Sequence, residues 1–507
     1  MKKGELFNLF RDFSKGDFLE FKKYLDSSHL LNKKSLLNIF EIIRNSTELL
    51  NNLKFDKLLK KISKKLNYSS TTINHRLSSL NKSILNFFKV KSLLSDEENA
   101  ELSLNKYLLR NEYFSILRTN LEKTDNLINN TKYFSDNFFW YSFNINILQC
   151  DFLTNFTRFV NNKSSDRRFY YMNEASTDLS LFNLIQQINI FANIILLNSD
   201  LGNHGKFEFP INISNMIQEF DGNNLFNKLL KKKDIYELYK SMFFAFYHKE
   251  DSGNFIKYKL YFNKILPSLN KELIKYHYNI LINYCIMKEK LAEEKEFYKK
   301  QQVEILLNYI DKGHFKTNDD EHLHSIEYRN FILIAFSIDD FKLIKDFIDN
   351  CTARLNEKDY KDMMNLGLAF YYYGTNNYEK TLECINNIEI NSFIYRFDIR
   401  NILLKVYYET EKYDELKDTI HNFKRILFDD QTLNKSNKDG LLKLLKYLYK
   451  LIIIRNDPDI NVQKEAEFLI NQIQKEQAFP LKKWLLNKLG ELSKTTQEKE
   501  TSISIPI

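Results

Sequence analysis

Three groups of side chains in this sequence have the types and spacing to do chemistry. The first is the run KFDKLLKKISKKLNYSSTTINHRLSSLNKSILNFFKVK, residues 54–91, which holds ten Lys or Arg and a single acid, Asp56. Its charge of +9 compares with +8 for the whole chain, so the remainder is close to neutral. Positive charge gathered in one short stretch is the electrostatic signature of a phosphate-binding surface. Read as a helix–turn–helix, Ile62 and Leu66 pack the first helix and Asn67-Tyr68 make the turn. Ser70 then caps a second helix whose inner face is Ile73, Leu77 and Leu80. Thr71, Thr72, Asn74, His75 and Arg76 would lie near the start of that helix, within reach of base edges. Lys60, Lys61, Lys64, Lys65 and Lys82 would meet phosphates. Two amphipathic helices with lysines on the wet face account for the same residues, so nucleic-acid binding is the alternative reading of this segment.

The second group is His314, His322 and His324 beside Asp319, Asp320 and Glu321, nitrogen and oxygen donors of the kind that hold zinc. They fall in a polar stretch where charged residues need no metal, and a surface loop is the expectation. The third is His204 in GNHG, flanked by glycines but with no partner in the sequence. Arg167-Arg168 beside Asp166 offers a minor anion site, with a solvated loop as the plainer reading. A phosphate-cradling Gly-rich loop, HExxH and a serine-nucleophile elbow are all lacking. No catalytic residue, cofactor or metal site is expected, and the chain reads as non-enzymatic.

The elements that must carry these groups are helices. Only 11 Gly and 5 Pro occur in 507 residues, too few for the many turns of a sheet protein. Phe (42) and Tyr (30) are abundant, a composition that biased coding explains as well as function does. On helices they suit helix-on-helix packing, since each ring buries a large area. In clusters such as Phe138, Phe139, Trp140 and Tyr141, or Tyr371, Tyr372 and Tyr373, most rings are expected inside and the remainder on a peptide-binding face. Cys150, Cys285, Cys351 and Cys384 are widely spaced, as in reduced core thiols of a cytoplasmic protein. The amino-terminal residues lack a signal peptide's apolar stretch. The run LFNLIQQINIFANIILL, residues 181–197, is interrupted by Asn and Gln, and no membrane association is expected.

Residues 1–95 read as a basic N-terminal helical domain, 96–435 as an irregular helical repeat array, and 436–507 as capping helices and a tail. The acidic SDEENAELS following the first unit marks a boundary or the first turn of a new helix. Within residues 363–388 the order of residues resembles the tetratricopeptide repeat. Leu366-Gly367 stands for that motif's Leu-Gly, where the missing side chain would let the second helix of the unit approach the first closely, Phe370 for its aromatic, Tyr378 for the aromatic opening the second helix, and Thr381 for its small residue. A second copy, residues 398–427, departs from it: Lys405 stands at the Gly position and Leu416 at the small one.

The larger layout resembles a family of helical-repeat proteins found in Bacteroidetes and related bacteria. FSKGDFLEFKKYLDSSHLLNKKSLLNIFEII (residues 13–43) and YRFDIRNILLKVYYETEKYDELKDTIHNFKRIL (residues 395–427) carry the resemblance. It implies an all-α fold and brings no activity with it. The expectation is therefore a right-handed helical-hairpin array, a tetratricopeptide-like solenoid with an N-terminal helical domain. Its expected role is a scaffold or adaptor for a protein or peptide partner. The alternative is a regulator that uses residues 54–91 on nucleic acid.

Overall fold

The computed structural model describes residues 15–27, 33–45, 55–130, 134–135, 137–156, 163–201, 209–222, 230–291, 294–318, 321–389, 393–430, 435–457, 461–476 and 479–503, with Phe10, Phe13 and Leu433. They form 22 α-helices and no strand, so the all-α expectation holds. The Asn- and Asp-rich joints between helices do specific work, because the first N–H groups of a helix have no partner within it. Asp96, Asp251, Asp340, Asn356, Asn377 and Asn461 each accept a backbone N–H from the first turn of the helix that follows.

The chain divides into two compact units, the first comprising residues 1–187 with 220–227 and the second residues 188–219 with 228–507. In the first unit α1 (Lys15–Ser27), α2 (Lys33–Arg44), α3 (Phe55–Leu66) and α4 (Ser70–Ser95) enclose one core. Phe18, Phe21, Leu25, Leu36, Ile39 and Ile43, spaced at helical intervals, all lie in it. So do Ile62, Ile73, Leu77 and Leu80, the positions the helix–turn–helix pattern turns inward. Helix α5 (Glu97–Arg110) begins on the acidic step with Asp96 as its cap, which makes that step the start of a helix. With α6 (Phe114–Asn129) and α7 (Phe138–Phe156) it surrounds a smaller core of Leu102, Leu117, Leu121, Ile145 and Leu148.

Helix α8 (Lys163–Leu201) is long and apolar enough to cross a membrane by length and composition. Its residues Leu181, Leu184, Ile185, Ile188, Phe191 and Ala192 are nevertheless buried, one helical stripe, while Asn183, Ile190 and Asn193 are exposed. That one-sided burial is the pattern of a helix packed against protein. Arg167 and Arg168 lie in its first turns, on regular helix and not in the loop the sequence suggested.

The second unit is a succession of helical hairpins. Helix α9 (Phe209–Gly222) leads to the pairs α10 (Leu230–Tyr247) with α11 (Ser252–Ile265) and α12 (Lys271–Leu291) with α13 (Lys295–Asp311). Next come α14 (Ser325–Ser337) with α15 (Phe341–Cys351), α16 (Glu357–Gly374) with α17 (Tyr378–Asn386), and α18 (Phe393–Glu409) with α19 (Tyr413–Asp429). Helix α16 packs on α14 and α15 as well as on α17, and α18 packs on α16 and α17 as well as on α19. The last helices, α20 (Lys435–Asn456), α21 (Val462–Lys475) and α22 (Lys482–Ile503), close over an apolar core shared with α18 and α19.

One turn geometry recurs in these last three hairpins. Asp339, Asn376 and Glu411 each adopt a left-handed φ of 57–60°. The next residue's N–H reaches back to a carbonyl five residues earlier: Asp340 to Ala335, Asn377 to Tyr372, Lys412 to Tyr407. This Schellman-type closure ties off the end of the first helix just before the second begins. Glycine normally fills the left-handed position; here Asp, Asn and Glu do, which is how a chain with so few glycines still makes tight helical turns.

Candidate interaction surfaces

The basic segment folds as two helices joined at Asn67, whose φ of 53° turns the chain after Leu66. Ser69, not Ser70, caps the second helix: its Oγ accepts the Thr72 N–H at 3.2 Å, while Ser70 is the first helical residue. The shift follows from the turn, because a single left-handed residue and Tyr68 suffice to reverse the chain. Thr71, Asn74, His75, Ser78 and Lys82 are exposed at helical spacing along α4, opposite the buried Ile73, Leu77, Leu80 and Ile84. Arg76 lies half-buried at the edge of that face.

On α3, Lys60, Lys61, Lys64 and Lys65 are exposed, with Ile62 fully buried between them. Lys60, Lys64, Lys65 and Lys82 form no hydrogen bond or ion pair with a described residue. Their heads stay hydrated while their stems cover apolar surface. Lys91 behaves differently. It bridges Asp17 at 2.9 Å and Glu20 at 2.7 Å, tying the far end of α4 to α1. Among the described candidate nucleic-acid contacts, Thr72 and Arg76 are half-buried and the others are exposed, while Lys91 serves the fold. Beyond Lys82 the α4 surface is mixed, with Leu85, Lys89, Ser92 and Leu93 lining an open groove that reaches Asp96 and Asn99.

The four repeat-packing positions lie where the hairpins meet. Leu366, Gly367 and Phe370 are buried in α16, and Tyr378 opens α17 half-buried, its ring 5.9 Å from Tyr373. Thr381 and Ile385 are buried on α17. At Gly367 an added methyl would sit 3.0 Å from Ile348 Cγ1 and 3.2 Å from the Tyr328 hydroxyl. Those nearest atoms belong to α15 and α14. The missing side chain therefore admits the preceding hairpin, whereas the motif's logic had assigned it to closeness within its own hairpin. In the next hairpin Lys405 occupies the corresponding position. It is 8% exposed, with its Nζ 4.9 Å from the Tyr373 ring centre and 5.1 Å from that of Phe336. Burial pulls its pKa down to about 8, opposed by Glu409 and Asp339.

Several of the remaining chemistry-bearing groups are engaged within the fold. His314 stacks on Tyr278, and burial together with Lys312 lowers its pKa. His322 is exposed, and His324 precedes α14 without a side-chain capping bond. Glu321 is held by Lys275 and by Thr317, which bring its carboxyl down to about 2. Asp319, Asp320 and His204 lie outside the described residues. Among the described residues no three His, Cys, Asp or Glu side chains converge as a metal site. His277 is fully buried, its Nδ1 2.7 Å from the Tyr258 hydroxyl, and burial lowers its pKa to about 3. Burial raises the Cys351 thiol to about 11 and pushes Cys285 higher, the opposite of what activates a nucleophile.

Of the aromatic clusters, Phe138 and Phe139 are buried and Trp140 is 40% exposed beside Phe143 and Phe182. Compared with known protein families, curated proteins and solved structures, the chain matches none.

Proposed function

We propose that this chain is a non-enzymatic adaptor that holds a protein or peptide partner on a helical-repeat surface. The observation that carries the reading is the packing of α16 and α18, each against both helices of the hairpin before it, across turns of one geometry. Hairpins joined in that way extend as a tetratricopeptide-like solenoid, whose use is area for a partner. The four cysteines are free, which suits the reducing cytoplasm. Ile326 and Tyr360, exposed near the starts of α14 and α16, are apolar anchors available for such contacts. The test is affinity purification of the full chain against an Ile326→Ala/Tyr360→Ala variant. One protein retained in stoichiometric amount by the first and lost from the second supports the reading; no stoichiometric partner for either overturns it.

The exposure of Lys60, Lys61, Lys64 and Lys65 beside Thr71, Asn74 and His75 favours a second reading, a regulator that binds nucleic acid through residues 54–91. Filter retention of duplex DNA and of RNA over a salt series decides it.

A further inference from the structure

We propose that the end of α4 pairs with the same segment of a second copy of this chain, antiparallel about a two-fold axis at Lys89. The open groove there, about 540 Å³, has Leu85, Phe88, Lys89, Leu93 and Asp96 among its lining residues. Phe88 is half-buried beneath it, while Leu85 is 48% exposed and Leu93 42%. Two large apolar side chains thus stand in water with charged residues on either side.

The occupant follows from the order of those residues. Lys82, Leu85, Lys89, Leu93 and Asp96 are separated by three, four, four and three positions, so they share one face of α4 and its last turn. The spacing is the same read in either direction. Turned end over end about Lys89, a second copy sets its Leu93 against Leu85 and its Asp96 against Lys82, and each match occurs twice. That reciprocity is what an isologous two-fold contact requires.

The charges are available for it. Lys82 and Lys89 form no hydrogen bond or ion pair with a described residue. Asp96 uses its carboxylate only on its own cap, accepting the Asn99 N–H at 3.1 Å and Asn99 Nδ2 at 2.6 Å, and it keeps its negative charge. An acidic helix would suit Lys82 and Lys89 but would repel Asp96. Nucleic acid would likewise suit the lysines and leave Leu85 and Leu93 with nothing to bury them. A surface basic at one end and acidic at the other satisfies every position, and this segment is such a surface. At the axis Lys89 meets its own copy; its stem covers apolar surface while its head turns outward to water. That repulsion and the small area of one helix pair make the dimer weak, with a dissociation constant on the order of 10 µM. The inference is independent of both functional readings.

The experiment is sedimentation equilibrium of the full chain from about 1 to 100 µM, where a reversible monomer–dimer equilibrium is expected. Lys82→Glu turns both Lys–Asp matches into repulsion and should weaken the dimer by at least about tenfold with an unchanged melting temperature. Lys89→Leu removes the like charges at the axis and adds an apolar contact, so it should tighten the dimer about tenfold without forming larger species. Misfolding cannot imitate that gain, which decides the matter if Lys82→Glu loses its fold. Lys60→Glu/Lys64→Glu, away from this face, should leave the equilibrium unaltered. A wild type that stays monomeric throughout, an association that neither Lys82→Glu nor Lys89→Leu moves, or one that Lys89→Leu weakens overturns the proposal.

Discussion

Arg329 of α14 grips Asp398 of α18 through two guanidinium nitrogens, Nη2 at 2.8 Å and Nε beside it, with the carboxylate 7% exposed. The pair spans hairpins, skipping over the one between them. Burial raises the Asp398 pKa by more than Arg329 lowers it, so the carboxylate gains little net from being charged there. Removing one partner is a different matter, because it strands the other. Asp398→Ala is expected to lower stability by about 3 kcal/mol, and Arg329→Met/Asp398→Leu by much less. Urea unfolding of the three proteins checks this; equal losses would mean that the pair itself is strongly stabilising.

The glycines of the helices should respond in opposite directions. In a helix interior Gly→Ala usually gains about 1 kcal/mol. Gly367→Ala should instead lose about 1–2 kcal/mol, since the methyl would press on the buried Ile348 side chain and the Tyr328 hydroxyl, which must shift to admit it. Gly374→Ala should cost more, because the added carbon would overlap the Phe341 ring. Gly490, in α22, has nothing within 4 Å of the new atom, and Gly490→Ala should show the usual gain. Thermal melts of the three variants give the ordering.

Lys405 supplies a pH dependence. Its pKa falls from 10.5 to about 8 on folding because burial disfavours the ammonium. Below pH 8 both states are protonated and the full cost is present. Between pH 8 and 10.5 the unfolded chain binds more protons, so stability rises with pH, by at most about 3 kcal/mol. Tyrosines begin to ionise toward the top of that range, and the useful window is pH 8 to 9.5. Wild type should gain stability across it relative to Lys405→Met; parallel curves would show that the amine is not desolvated.

For the basic segment, Lys60→Gln/Lys64→Gln/Lys65→Gln should reduce the slope of log affinity against log salt by about 3 if all three meet phosphate. Asn74→Ala should alter sequence preference with the slope retained. If wild type shows no salt-sensitive retention of DNA or RNA, the regulator reading fails and the lysines are solvated surface.

Helical periodicity carried most of what could be read from the sequence. Ile62, Ile73, Leu77 and Leu80 face inward because apolar spacing of three and four fixes one side of a helix, whatever lies outside it. Leu366, Gly367 and Phe370 were legible instead through the resemblance of residues 363–388 to the tetratricopeptide repeat. Ser70 and the partner of Gly367 were misjudged because both depend on details that spacing does not encode: how few residues a turn needs, and which neighbouring hairpin comes closest. An open cavity beside Lys312 in the second unit was not legible at all. Lys271, Lys312, Lys316 and Arg354 are scattered between other features, and the backbone bridge at Leu323 and Leu355 together with the Arg354 bond to the Ile310 carbonyl brings their stretches of chain together.

The turns at Asp339, Asn376 and Glu411 have a consequence for how the second unit is made. Each closes its own backbone hydrogen bonds within a few residues, so a hairpin needs nothing distant to satisfy its main chain. Contacts of that kind form early and locally, which allows hairpins to settle one after another as the chain emerges from the ribosome. Each of these hairpins then has only to match the face of the one before it. A gene could lengthen or shorten such a protein by whole hairpins, with side-chain fit at positions like Gly367 as the main term of negotiation.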